Sequence, residues 1–124
     1  MILFIDSANL IQINELNSLG ITSGVTTNPS IMAKEGVEGK ENWLKHYIAI
    51  CNSAVGPVSA EVIATDYIGM LKEAQHLASL HVNIVVKIPI TKEGLQVIRQ
   101  LSAENIKTNC TLIFTSAQAL LAAK

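Results

Sequence analysis

The sequence predicts an α/β fold over residues 1–124, one domain in which a short strand and a longer helix alternate five times around a parallel sheet. Three observations carry this expectation. Short β-branched and aliphatic runs alternate with stretches of helical periodicity, the runs are bounded by Gly, Pro, Asn or Ser, and each brings a polar residue to the same end of its unit. Strands of this kind are joined by right-handed crossovers, which leaves two architectures open: a doubly wound open sheet or an eight-stranded barrel.

Taken in order, Ile2 to Asp6 reads as the first strand and Asn9 to Leu19 as the first helix, stopped at Gly20. Gly24 to Thr27 is the second strand. Asn28-Pro29-Ser30 breaks it, because proline denies the preceding residue helical geometry, and Ser30 is positioned to cap a short turn to Lys34. After the Gly36 to Gly39 link comes a helix with Trp43, Leu44, Tyr47, Ile48 and Cys51 on one face. Val58 to Ile63 is the third strand. Asp66 to about Leu80 is a helix with Leu71, Ala74 and Leu77 inward, and Asn83 to Ile88 is the fourth strand. Thr91 caps a helix bearing Leu95, Ile98 and Leu101, the fifth strand runs from about Lys107 to Leu112, and Thr115-x-x-Gln118 has the form of a capping box opening the last helix.

Composition narrows the function. With 49% hydrophobic and 15% charged residues the chain has the balance of a compact globular domain rather than a disordered one. A formal net charge of -1 provides no basic field to neutralise a phosphate backbone, so nucleic acid is not an expected partner. No apolar run reaches the roughly 18 residues of a membrane span, and MILFIDSANL carries an acid where a signal peptide has lysine or arginine. No membrane partner and a cytoplasmic location are therefore expected. Cys51 and Cys110 lack a Cys-x-x-Cys spacing or partnering histidines and read as reduced core thiols.

The strand ends hold the chemistry. Residues two apart share a face of a strand, and Phe4-Ile5-Asp6, Thr26-Thr27-Asn28, Ser59-Ala60-Glu61, Val85-Val86-Lys87 and Asn109-Cys110-Thr111 each present a polar group toward the C-terminal rim, where parallel α/β proteins bind ligands. The set contains carboxylates, carboxamides, hydroxyls and one lysine. It has no strand-end histidine and no glycine-rich phosphate loop, so neither a metal nor a nucleotide cofactor is expected. Lys87, between Ile84-Val85-Val86 and Ile88-Pro89-Ile90, is the sharpest member, since a dry environment disfavours the ammonium form and frees an amine to act as a nucleophile. Each residue also has a purely structural reading: Asp6 as a helix cap, Asn28 as the turn residue before Pro29, Glu61 on a wet sheet face, Asn109 and Thr111 as edge-strand polars, and Lys87 reaching the rim or pairing with Glu61.

GVTTNPS at 24–30, VVKIPIT at 85–91 and TNCTLIFTSAQALLAA at 108–123, with FIDSA at 4–8, resemble the signatures of the transaldolase family, in particular the short microbial transaldolases and the related fructose-6-phosphate aldolases. The resemblance runs through essentially the whole chain. It implies a TIM (β/α)8-barrel type fold, of which the chain covers about the first five β/α units, and a class I, Schiff-base aldol mechanism without metal or cofactor. Lys87 is then the Schiff-base lysine, Asp6 the group that takes a proton from the hydroxyl at the carbon released as aldehyde, and Glu61 a proton shuttle acting through a water held with Thr111. Asn28 and Asn109 would hold the dihydroxyacetone unit, with Thr26 lining the same pocket. Glu61, where the aldolases typically have glutamine, favours a transaldolase of the pentose phosphate pathway, moving the unit from a ketose donor to an aldose acceptor; the alternative is an aldolase-type lyase. The implied partners are sugar phosphates and further copies of the chain in a homo-oligomer.

The sequence departs from the family in length. A barrel of this kind needs about 250 residues, with a lower range near 200. Three strands are expected to be missing, with the serine and arginine that the family uses for the substrate phosphate. A fragment of a longer enzyme is the preferred explanation, ahead of a truncated gene product or a sheet closed by association; an inactive binding or assembly module is the reading from another functional class. An open flavodoxin-like sheet is the competing fold, disfavoured because Asp6-Ser7-Ala8-Asn9 suits an anion poorly.

Overall fold

A computed structural model describes residues 1–124. The elements in chain order are β1 (Phe4–Asp6), α1 (Leu10–Ser18), β2 (Gly24–Thr26), α2 (Pro29–Lys34), α3 (Lys40–Ser53), β3 (Val58–Glu61), α4 (Tyr67–Leu80), β4 (Ile84–Pro89), α5 (Lys92–Ala103), β5 (Thr108–Thr111) and α6 (Ser116–Ala123). All four strand pairs are parallel and the sheet order is β1-β2-β3-β4-β5. A doubly wound sheet reverses its strand order at a switch point, and this sheet never does. The consecutive order is that of the N-terminal part of a TIM barrel.

The core lies on one face of this sheet. Val25 and Thr27, Val58, Ala60 and Val62, and Ile84, Val86 and Ile88 are buried beneath the helices, against Ile13, Met32, Ile50, Met70, Val97 and Leu101. In β4 burial alternates residue by residue, so the intervening Val85, Lys87 and Pro89 turn to the opposite face. No helix is long and apolar enough to cross a membrane.

Local details depart from the sequence expectation where packing or capping decides. Asn28, not Ser30, caps α2: its backbone is extended and its Oδ1 accepts the Ile31 amide at 2.9 Å. Pro29 then occupies the first helical position, where a missing N–H costs nothing. In α4 the buried stripe is Met70, Ala74 and Leu77, with Leu71 only half-buried beside it. In α5 the buried stripe is Gly94, Val97 and Leu101, so Leu95 and Ile98 fall on its flank. Gly94 explains the rotation, because a Cβ there would collide with the Pro89 carbonyl, and its absence lets α5 lie against the end of β4. The capping box at α6 forms as expected between Thr115 and Gln118, although α6 buries no residue. Both cysteines are free thiols; Cys51 is in the core, but Cys110, on the edge strand β5, is only half-buried.

The α5 stripe can be checked by truncation. Leu101→Ala is expected to cost about 2–5 kcal/mol and Leu95→Ala less than roughly 1 kcal/mol, because only the first leaves a cavity in the core. Urea midpoints at unchanged m read the difference; equal losses would reject the assigned face.

Candidate active site

Neighbouring residues in a parallel ladder point to the same side, so the register decides which polar groups meet. Asp6 pairs with Thr26 and Thr26 with Ser59, Glu61 pairs with Lys87, Lys87 with Asn109, and Pro89 with Thr111. Seven polar side chains from five strands therefore share the face turned away from the helices. At its centre, Lys87 Nζ stands 3.3 Å from Glu61 Oε2, with side chains only 14% and 19% exposed. The lysine is thus sheltered as expected, but not by aliphatic neighbours alone: it is ion-paired, the structural alternative weighed for it above.

The predicted residues fall into two adjoining groups. Lys87, Glu61, Asn28 and Thr111 line one cleft, with Leu112 at its edge in a left-handed conformation (φ 62°) that turns the chain sharply after Thr111. Thr26 and Asn109 line a neighbouring hollow with Phe4, Ser59 and Val85. Asp6 lines neither, but its Oδ1 accepts a 2.8 Å hydrogen bond from the Thr26 hydroxyl. Asp6 does not cap α1; Asn9 does, through bonds from the Ile11 and Gln12 amides. Asn28 does serve as a cap, yet only through its oxygen, so its amide nitrogen is left without a partner inside the protein.

Three residues outside the predicted set support it. Ser59, 3% exposed, accepts a 3.1 Å hydrogen bond from Asn109 Nδ2 across the intervening strand β4. The same alternation that singled out Glu61 includes Ser59, two residues earlier. Tyr47 was legible only as a core residue; its hydroxyl accepts the Glu61 backbone amide at 3.2 Å. Burial pushes the Tyr47 phenol up from 10.0 to about 12; the bond from the Glu61 amide opposes the rise and the Glu61 charge adds to it. Glu73, on α4, accepts the Ile63 and Ala64 amides just beyond β3. Burial alone would raise its carboxyl, but those two bonds and the neighbouring Lys40 outweigh burial and hold it below the ordinary value.

Chemically, the face combines a sheltered amine, a carboxylate in contact with it, a second carboxylate two strands away from Glu61, and amides and hydroxyls able to hold a polyhydroxylated molecule. No group of three His, Cys, Asp or Glu side chains is placed to hold a metal ion.

Comparison with known proteins places the chain among relatives by sequence. The sequence model of the family described as Transaldolase/Fructose-6-phosphate aldolase matches residues 3–124. Over 121 residues, 98% of this chain, the sequence is 62% identical to a protein named "Probable transaldolase" from Porphyromonas gingivalis, covering 55% of that relative. It is 60% identical to a protein of the same name from Phocaeicola vulgatus and 57% identical to one from Cytophaga hutchinsonii, covering 56% of each. The chain spans about half the length of the curated relatives it matches.

The buried phenol and thiol set the alkaline limit of stability. Burial also raises Cys51, from 9.0 to about 11. Both groups stay protonated in the folded chain at a pH where the unfolded chain has begun to ionise, so the unfolded state binds fewer protons. Stability is therefore expected to be fully retained below about pH 9 and to fall as pH rises toward 12, with Tyr47→Phe flattening the upper part of the fall. Urea titrations from pH 8 to 12 check this; a wild-type profile flat across that window would contradict it.

Proposed function

We propose, from the premise that the chain belongs to the transaldolase/fructose-6-phosphate aldolase family, that it carries the Schiff-base centre of a class I aldol transferase acting on sugar phosphates. The observation that carries the reading is the contact between Lys87 and Glu61 on the open sheet face, with Asn28 and Thr111 in the same cleft and Asp6 and Asn109 on the same face. Because the chain spans about half of its relatives, the activity is proposed for the enzyme of which this region is the catalytic part.

In this mechanism Lys87 gives up a proton to Glu61, and the resulting amine adds to the carbonyl carbon of a ketose phosphate, giving a carbinolamine whose hydroxyl takes that proton back, leaves as water and yields an iminium ion. Asp6 takes the proton from the hydroxyl on the carbon that becomes the aldehyde. The bond between that carbon and its neighbour breaks, and its electron pair flows into the iminium to give an enamine. The released aldehyde leaves, the enamine attacks the aldehyde carbon of an acceptor aldose while Asp6 returns its proton to the new hydroxyl, and water then hydrolyses the new iminium to return the free lysine. Glu61, adjacent to the amine, passes protons through a water held with Thr111 during formation and hydrolysis of the Schiff base. Asn28 offers its unpartnered amide nitrogen to the three-carbon unit. Asn109, steadied by Ser59, and Thr26 orient the same unit, which converts part of the entropic barrier into binding.

The carboxylate at position 61 supports transfer over release as free dihydroxyacetone, the alternative within the same family. A homo-oligomeric state is part of the proposal, and no cofactor is required by it.

Incubation with fructose 6-phosphate followed by borohydride reduction is expected to leave an adduct on Lys87, visible by mass spectrometry and absent in Lys87→Ala. Asp6→Asn is expected to retain the adduct while slowing bond cleavage by roughly 10²–10⁴-fold. Product formation that depends on added erythrose 4-phosphate identifies a transferase, whereas release without acceptor identifies a lyase. A folded wild-type chain that traps no adduct would remove the mechanism and leave the binding or assembly module.

A further inference from the structure

The last residue of β3 is Glu61; Val62 after it is anchored in the core, but beyond it Ile63 is 49% exposed and Ala64 only half-buried. There polar contacts add to the apolar anchor, and every backbone amide from 61 to 64 is engaged. Glu61 N–H donates to the Tyr47 hydroxyl at 3.2 Å and Val62 N–H to the Lys87 carbonyl at 3.2 Å. The next two, Ile63 and Ala64, both donate to one oxygen, Glu73 Oε2, at 2.8 and 2.9 Å. The other oxygen, Oε1, lies 3.6 Å from Lys40 Nζ on α3. Glu73 sits in the second turn of the helix that this loop leads into, so its carboxylate ties α4 and α3 to the strand end two residues beyond Glu61.

We infer that Glu73 is a positioning residue for the reaction: by holding the Ile63 and Ala64 amides it sets where the Glu61 carboxylate stands against Lys87. The inference rests on the Schiff-base reading for its catalytic consequence, but not for its geometric one. Charge-assisted bonds from two consecutive amides to one carboxylate oxygen are stronger and more directional than neutral ones, and they are sheltered at the foot of α4. A contact of 3.3 Å between Glu61 and Lys87 tolerates little drift, and a misplacement of about 1 Å is commonly worth 10²-fold in rate. Glu73 lines neither hollow of the open face, and its contacts run to the backbone just beyond Glu61, so its influence passes through the backbone of 61–64.

The same carboxylate lines a pocket of about 170 Å³ between α3 and α4, shared with Trp43, Tyr47, His76 and Glu61, with the exposed Lys40 on its rim. Removing the Glu73 side chain would enlarge this pocket around two orphaned amides and a lysine, a site that a small carboxylate could enter.

The experiment compares wild type, Glu73→Ala and Glu73→Gln. In Glu73→Ala, amide exchange at Ile63 and Ala64 should accelerate, the carbon-13 signals of the Glu61 carboxyl and of the Lys87 carbon beside the amine should shift, and borohydride trapping should slow about 10–100-fold. The loss should appear in kcat with KM little changed. Glu73→Gln, which keeps an acceptor oxygen, should recover most of the rate, and added formate should restore Glu73→Ala but not wild type. If Glu73→Ala is poorly folded by circular dichroism, the comparison is made between Glu73→Gln and Glu73→Asp, the latter too short to reach both amides. Unchanged Glu61 and Lys87 signals despite faster amide exchange would overturn the inference whether or not the wild type traps substrate. Absence of trapping in wild type with those signals still shifting in the variant would sink the Schiff-base reading and leave the positioning role standing.

Discussion

The parallel pairing of β3 with β4 places Glu61 directly beside Lys87, and the other features of the open face are arranged around that pairing. In a pleated sheet a slip of one residue moves every side chain to the other face. Here such a slip of β4 would bury the lysine beside Val58 and Ala60 and turn Ile84, Val86 and Ile88 out of the core, losing buried area and leaving a charge without a partner. Stability and reactivity are thus selected by the same register. The apolar residues on the helix side lock it, and the polar ones on the opposite side use it.

The helices contribute more than cover. Tyr47 from α3 and Glu73 from α4 reach the backbone on either side of Val62, while His46 from α3 contacts the Ala8 carbonyl at 2.7 Å, two residues beyond Asp6. Both acidic strand ends are therefore steadied from behind by α3. Asn109 is steadied on the open face itself by Ser59. Four residues, Tyr47, Glu73, His46 and Ser59, thus hold the site without lining its lysine cleft, as expected where reactive groups must be kept within fractions of an ångström.

Much of this was legible in the chain because it depends on periodicity. Alternation of strand and helix predicted the units, and the two-residue period placed Asp6, Thr26, Glu61, Lys87, Asn109 and Thr111 on one face. What was not legible depends on contacts between segments distant in sequence. The pairing of Lys87 with Glu61 was open from sequence only as one alternative beside an amine enclosed by aliphatic side chains, because the register of the β3–β4 ladder decides between them. Gly94 reads as a weak point in a helix until the Pro89 carbonyl is seen beneath it, and that contact rotates the buried stripe of α5. Asn28 reads equally well as turn or ligand, and in the structure its oxygen caps α2 while its nitrogen remains unpaired. Strand order, which separates a barrel arc from a doubly wound sheet, is a global property that no local pattern encodes.

The unbroken strand order also bears on how the chain acquires its structure. Each strand from β2 onward finds its partner in the unit made just before it, so every pairing closes a loop of one helix, or of two between β2 and β3, and none waits for a segment still to be synthesised. Assembly can proceed in the direction of translation. In that sequence β3 is laid down before β4, and Tyr47 is already in the chain to receive it. The lysine arrives after it, meeting a glutamate whose strand has been docked ahead of it, so that the reactive pair comes together as β4 locks into place and β5 then adds Asn109 and Thr111.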